Sequence, residues 1–301
     1  VPIVVTIVDS KDCWVKASNL QSSFIRCEEP KMNDLLINEI LFDPPNTGSD
    51  FIELYNNTNK YLSLANCSIG NGSMNYLLQK SVIGPKQYLA LSPDTAFLWS
   101  YYPSTQLTQI TTQELPYFYN DSGTCILNCN DSVLDELKYH KDWHATGLLD
   151  SEGVSLERLD PNAPTQNPNN WFSAAQSAGF ATPGRSNSQQ IAAIENGQLY
   201  LSYPELSPDQ DGYHDFLEIH YELPAPNMLV QAAIFTLGGQ LVKQLNYNEL
   251  FGTKGVLIWD GSTEYGTIAS SGIYILDFSA FSTGSSVFFN RRLSFARCIK
   301  R

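Results

Sequence analysis

The densest set of chemistry-bearing residues is Asp209-Gln210-Asp211-Gly212-Tyr213-His214-Asp215. Three carboxylates stand at alternate or near-alternate positions around a glycine. Calcium takes six to eight hard oxygens at about 2.3–2.6 Å. Asp209, Asp211 and Asp215, with a backbone carbonyl such as that of Tyr213, supply part of such a shell. Gly212 allows the sharp turn that points a loop inward. The bidentate Glu that closes a complete calcium loop is missing: Glu218 falls too early and on a predicted strand. Asp260 or Glu264 would have to help. The competing reading is that the carboxylates cap the turn by bonding its own N–H groups, as acidic Asp-Gly turns routinely do. No cofactor is expected elsewhere, so calcium at this loop is the one cofactor candidate.

Glu39, Asp50 and Glu53 are the next acidic set, as a pair of carboxylates is what acid–base catalysis needs. No neighbouring nucleophile or metal-ligand cluster supports that use. Glu53 and Glu157 each precede apolar strand residues, and Arg158 follows at once. The reading is structural: Arg158 pairs with Glu39 or Glu53 to join two strands, a charge-assisted contact. His140 and His144 are four apart, but they leave a strand for a loop and Lys141 sits beside them. A solvated or hydrogen-bonded pair is expected rather than a metal site. His214 and His220 are isolated. No G-x-S-x-G, H-E-x-x-H, phosphate loop or dinucleotide fingerprint occurs.

Six cysteines are scattered: Cys13, Cys27, Cys67, Cys125, Cys129 and Cys298. Cys125 and Cys129 lie on one predicted strand, roughly 13 Å apart. That separation forbids a disulfide between them. They are expected as buried thiols acting as small hydrophobes. A bridge from Cys13 to Cys27 across a hairpin is the one pairing proposed. Trp99, Tyr101, Tyr102, Tyr117 and Tyr119 are the aromatic candidates for stacking on a sugar or a partner protein, although most aromatics of such a fold belong in its core.

Bulk properties narrow the classes. The chain has 301 residues, room for about two domains. Its net charge of −13 leaves too few Lys and Arg for a broad phosphate-binding face, so no nucleic-acid partner is expected. The one basic cluster, Arg291-Arg292, Arg297 and Lys300-Arg301, reads as an edge strand kept soluble by charge. No run of 18 apolar residues exists, so no transmembrane segment is expected. Val1–Val8 is no signal peptide. Without an initiator Met, the chain reads as a piece of something longer.

The elements that must hold these residues are strands. Leu35–Phe42 and Phe51–Tyr55 flank Asp43-Pro44-Pro45-Asn46-Thr47-Gly48-Ser49-Asp50, whose prolines stop the first strand. Short apolar runs then recur between turn signals, the pattern of a sandwich. Ser92 reads as the N-cap of a short helix, Asp94–Tyr101, with Pro93 at its first position. Gly123–Asn128 and Val133–His140 form a hairpin, Gly153–Leu159 is the last long strand of this half, and Gly184–Gln190 reads as a linker. A second sandwich follows.

The blocks Ile37-Asn38-Glu39-Ile40 and Phe51-Ile52-Glu53-Leu54-Tyr55-Asn56 resemble the opening of a lamin tail domain. Gly153–Leu159, Asn170-Trp171 and Ala181–Asn187 resemble the way bacterial lamin tail domains end. In the second half, Ser207–Gly212, Tyr221-Glu222-Leu223, Ile234-Phe235 with Gly238–Val242, Trp259-Asp260-Gly261 and Ser271–Tyr274 resemble the immunoglobulin-like domain of secreted bacterial proteins related to the flagellar hook-capping protein. The fold expected is all-β, two consecutive immunoglobulin-like β-sandwiches. Residues 1–32 are remnant strands of a preceding immunoglobulin-like domain or linker, 33–188 the lamin-tail-like sandwich, and 189–301 the hook-capping-like one.

The resemblance implies a non-enzymatic region of a secreted or cell-surface protein of a Gram-negative bacterium. Its role is that of a spacer, adhesion or surface-sorting module. The partner is an unknown protein or glycan, with cell-surface secretion machinery engaged through the C-terminal domain. The alternative is a carbohydrate-binding accessory of an upstream surface hydrolase. An enzyme, by contrast, would show a cleft with perturbed acids.

Overall fold

The computed structural model describes residues 3–6, 21–24, 27–190, 196–282 and 287–298. β1 (Ile3–Thr6) and β2 (Gln21–Phe24) pair antiparallel. The bridge expected between Cys13 and Cys27 involves Cys13, outside the described residues. Next come β3 (Leu35–Leu41), β4 (Phe51–Asn56), β5 (Leu62–Ser63), β6 (Cys67–Gly70), β7 (Asn75–Leu77), β8 (Val82–Ile83) and β9 (Tyr88–Ser92). After α1 (Thr95–Tyr101) follow β10 (Ile110–Thr112), β11 (Ser122–Cys129), β12 (Ser132–His140), β13 (Leu156–Arg158) and β14 (Trp171–Ser173).

These strands build a six-stranded sheet, β10-β9-β4-β3-β13-β14, facing a four-stranded one, β12-β11-β6-β7. Ile37, Ile40, Ile52, Leu54 and Leu156 from the first pack on Ile69, Leu127, Leu137 and Tyr139 from the second. The six-stranded sheet is covered on its other face as well. Leu41, Phe51 and Ala90 pack there against Phe97, Leu98 and Tyr102 of the helical segment and against Ala181. That third layer explains why every residue of β3 and β4 is buried, where a two-layer sandwich would show alternation.

Several local expectations are corrected. The helix cap is Asp94, whose carboxylate accepts the Phe97 N–H at 2.9 Å. Ser92 instead accepts the Asp94 N–H and donates to Asp50 O. The strand expected over Gly153–Leu159 contracts to β13. The β11–β12 turn centres on Asn130 and Asp131, both with φ above zero (48° and 60°), the backbone a tight hairpin requires.

The second half contains β15 (Gln198–Leu201), β16 (Glu205–Leu206), β17 (Leu217–Glu222), β18 (Met228–Thr236), β19 (Leu241–Phe251), β20 (Lys254–Trp259), β21 (Gly272–Ser282) and β22 (Phe288–Arg297). They form a sheet β15-β17-β20 and a sheet β16-β22-β21-β18-β19. Ile219, Tyr221 and Trp259 of the first pack on Val230, Ile234, Leu276 and Phe278 of the second. Along β21, Tyr274, Leu276, Phe278 and Ala280 point inward at the period of two that the sequence shows.

Candidate functional site

Strand register assembles a group the sequence displays only in pieces. Glu157 on β13 stands opposite Glu39 on β3, and Glu39 opposite Glu53 on β4. Three glutamates thus form one row across three neighbouring strands. A bulge at Asn38 sets their face. Without it Ile37 and Glu39 would share a side; the extra residue lets Ile37 enter the core while Asn38 and Glu39 face outward. All three carboxylates are completely buried.

The cover is the segment 180–190, which crosses the outer face as a strap. Thr182 N–H and Ser155 Oγ donate to Glu39 Oε1, and Thr182 Oγ1 reaches Glu39 Oε2 (3.1 Å) and Glu157 Oε1 (2.8 Å). Ser188 Oγ and Gln189 N–H donate to Glu157 Oε2. Asn38 Nδ2 and Gly184 N–H supply the two oxygens of Glu53. Every oxygen of the row therefore has a hydrogen-bonding group beside it, with the single Thr182 hydroxyl shared between Glu39 Oε2 and Glu157 Oε1. Gly184 is required twice over: its φ is +80°, and a Cβ there would lie 2.8 Å from Gln109 Cβ.

Electrostatics follow from the burial. Desolvation, and then Glu157 beside it, push the Glu39 carboxyl up to about 8. Burial and Glu39 raise Glu53 well above the usual carboxylate range, and burial raises Glu157. Asp50, at the end of the same sandwich, is pushed up to about 7, chiefly by burial.

Arg158 does not pair with Glu39 or Glu53. It follows Glu157, so the period of two turns it to the opposite face, between the sheets. There its Nη1 lies 3.1 Å from Asp135 Oδ2 on β12, both side chains buried. It also donates to Ile37 O, Ala163 O and Thr165 Oγ1. Asp135 accepts from Ile37 N–H and Thr165 Oγ1 as well. The proline- and asparagine-rich loop after β13 is therefore the cage of this inter-sheet ion pair.

The cysteines are also corrected. Cys129 is no free thiol but is bonded to Cys67, its register partner on β6. Cys125 is the buried thiol expected, its pKa raised by burial. His140 and His144 part company. His140 accepts the Asp142 N–H, whereas His144 is buried against Phe42 with Nδ1 on Ser173 Oγ at 2.9 Å. Burial pushes His144 down to about 4.

Asp209, Asp211 and Asp215 do converge, with ligand atoms within 4.8 Å of one another. Their oxygens are also in use by the loop: Asp215 accepts from Gln210 and Gly212 N–H, and Asp211 from Tyr213 N–H. Asp260 accepts the Ser262 N–H of its own loop and Glu264 accepts the Gln244 N–H of β19, so both are engaged away from the acidic loop. Trp99, Tyr101, Tyr117 and Tyr119 are exposed; Tyr102 is not, being fully buried with its hydroxyl on Gly153 O. Tyr117 and Tyr119 stand edge to face at 88°, not coplanar. In the basic cluster, Arg292 bonds Asp277 and Arg291 lies over the Phe289 ring.

The class these features define is an all-β protein of stacked sandwiches with a covered, internally bonded acidic row. Residues 28–141 match the family model of the Lamin Tail Domain. No curated protein matches the chain. Among solved structures, FlgD from P. aeruginosa aligns at 14% identity over 35% of this chain and 78% of its own, with a TM-score of 0.25. PorZ of Porphyromonas gingivalis, an essential surface component of its type-IX secretion system, aligns at 12% identity, 86% of this chain, 30% of its own and a TM-score of 0.27. Latent dimeric PorU of the same organism aligns at 10%, 88%, 20% and 0.28. The chain thus spans under a third of the length of these two secretion proteins. Among the described residues, no helix is long and apolar enough to cross a membrane.

Proposed function

We propose that this region is a non-catalytic structural and interaction module of a secreted or cell-surface protein. It acts as a spacer, adhesion or surface-sorting element. The observation that carries the reading is the fate of the buried acids. Glu39, Glu53 and Glu157 are engaged by the strap through Thr182, Gly184, Ser188 and Gln189, with Asn38 of β3 on the other oxygen of Glu53, so this perturbed carboxylate row serves the fold. The Cys67–Cys129 disulfide supports an oxidising compartment, in keeping with secretion. A panel of hydrolase substrates incubated with the purified chain should give no turnover; turnover abolished by Glu39→Gln or Glu157→Gln would overturn the reading. For sorting, the test is deletion of residues 189–301 in the native host followed by cell fractionation. Unchanged surface delivery would remove that role.

A second reading, a carbohydrate-binding accessory, draws on the exposed Trp99, Tyr101, Tyr117 and Tyr119. Glycan-array binding that is lost in Trp99→Ala or Tyr119→Ala would establish it.

A further inference from the structure

The Thr182 hydroxyl has one proton and two carboxylate neighbours, Glu157 Oε1 at 2.8 Å and Glu39 Oε2 at 3.1 Å. If both glutamates are ionised, the hydroxyl satisfies one oxygen and presents a lone pair to the other, a repulsive contact inside a dry layer. A single proton on either facing oxygen removes the conflict. The protonated carboxyl donates to Thr182 Oγ1, which donates onward to its partner, and both contacts become hydrogen bonds. The remaining oxygens of the pair face donors only: Ser155 Oγ and Thr182 N–H at Glu39 Oε1, and Ser188 Oγ and Gln189 N–H at Glu157 Oε2.

We propose that Glu39 and Glu157 hold one proton between them through the Thr182 hydroxyl, and that its loss in alkaline solution releases the strap and with it the joint between the two sandwiches. The proton belongs to the pair and not to either residue.

The surroundings favour holding it. From β4 the row faces Glu53, a third carboxylate whose oxygens accept N–H groups from Asn38 and Gly184. From β9 it faces Tyr88, and from the end of α1 Tyr102; both are neutral phenols with pKa values raised by burial. On β13, Arg158 is turned away to Asp135. On the strap, Arg185 is exposed and bonds Ser104 O. Among the described residues, no cation forms an ion pair with any of the three glutamates.

The strap transmits the state of the pair. Gln189, whose N–H is bound to Glu157, is fully buried; its side chain accepts the Asn227 N–H and donates to Phe251 O, both in the second sandwich. Ser188, whose hydroxyl is also on Glu157, accepts the Thr253 N–H at its carbonyl. Two adjacent residues thus bind the acidic row with one set of groups and the second sandwich with another.

The test uses the full chain with three variants: Glu39→Gln, Glu157→Gln and, as a control at a perturbed acid outside the row, Asp50→Asn. In the first two, the new amide supplies permanently the hydrogen that the shared proton supplies. Thermal melting is followed from pH 6 to pH 9, with amide hydrogen exchange at Gln189 and Thr253 corrected for its intrinsic pH dependence. The parent and Asp50→Asn should lose melting temperature across this range, by roughly 5 °C, with protection at both amides falling together. Glu39→Gln or Glu157→Gln should flatten the protection profile at both amides and reduce the melting loss to the part that Asp50 contributes. A parent whose melting temperature and protection do not change from pH 6 to pH 9 would overturn the proposal. So would an undiminished alkaline loss in both glutamine variants.

Discussion

Glu157 and Arg158 are adjacent in the chain and serve opposite faces of one sheet. Glu157 faces the strap and Arg158 the space between the sheets, where it meets Asp135. Removing one partner of a buried ion pair leaves the other charge uncompensated, at a cost of about 3–5 kcal/mol. Arg158→Ala should therefore cost about that much in urea unfolding, with Asp135→Ala similar and the double variant well short of the sum. An additive double variant would mean that the two residues act separately. The acids and the buried histidine impose opposite pH dependences. Burial and the neighbouring Glu157 hold the folded Glu39 carboxyl at about 8, well above the usual carboxylate range. Its stabilising contribution is full below about pH 4.5 and is lost as pH rises through about 8. His144 is depressed to about 4, so its contribution is full above about 6.5 and is lost as pH falls toward 4. His144→Gln should flatten the acid limb of a stability profile and leave the alkaline limb unchanged. The sequence displays Glu39, Glu53 and Arg158 as residues of interest. It does not display their partners, because a bulge at Asn38 and a pairing 23 residues away across two sheets leave no local signal.

Among the elements, the helix and the disulfide show how far local rules reach. Ser, Pro and Asp in sequence mark a helix start, and a helix follows. The cap moves to Asp94 because Ser92 is already engaged with Asp50 O. Asp94→Ala should lower stability by about 1 kcal/mol in chemical denaturation. Strand spacing excludes a Cys125–Cys129 bridge, and none forms; finding Cys67 opposite Cys129 requires the pairing of β6 with β11, a tertiary fact. The bridge closes a loop with a sequence separation of 62, which chain entropy values at about 4 kcal/mol. Cys67→Ala with Cys129→Ala should approach that loss, and the reduced parent should match the variant. The acidic loop at Asp209–Asp215 has its own check. With its carboxylates spent on Gln210, Gly212 and Tyr213 N–H groups, the full chain should melt alike in millimolar calcium and in chelator. A calcium-dependent rise that is lost in Asp211→Ala would assign an ion to the loop.

At the scale of the whole molecule, the two halves are readable from turn spacing and alternating strands, while the joint between them is not. Gly184–Gln190 has the small and polar composition of a linker. In the structure its Asn187 and Gln189 are buried, because Asn187 is bonded to Asn38 and to Arg158 O, while Ser188 and Gln189 find partners in Glu157 on one side and in Phe251, Thr253 and Asn227 on the other. Composition reports polarity and says nothing of whether water or protein will satisfy it. Gln189→Ala deletes two of the side-chain bonds that cross the joint. Small-angle scattering should then show a broader distribution of distances within the molecule at unchanged secondary structure; an unaltered profile would mean that Thr253 and Ser177 hold the joint without it.

The Cys67–Cys129 bond also decides how this region would respond to pulling. A surface stalk under load lengthens by paying out chain, and residues inside a covalent loop cannot be paid out. The loop from Cys67 to Cys129 withholds roughly 200 Å of extended polypeptide at about 3.4 Å per residue. In a single-molecule stretching experiment, the first sandwich should release a contour length shorter by about that amount when oxidised than when reduced. The redox state of one cysteine pair would then set how far the module stretches before the load reaches whatever lies beyond it.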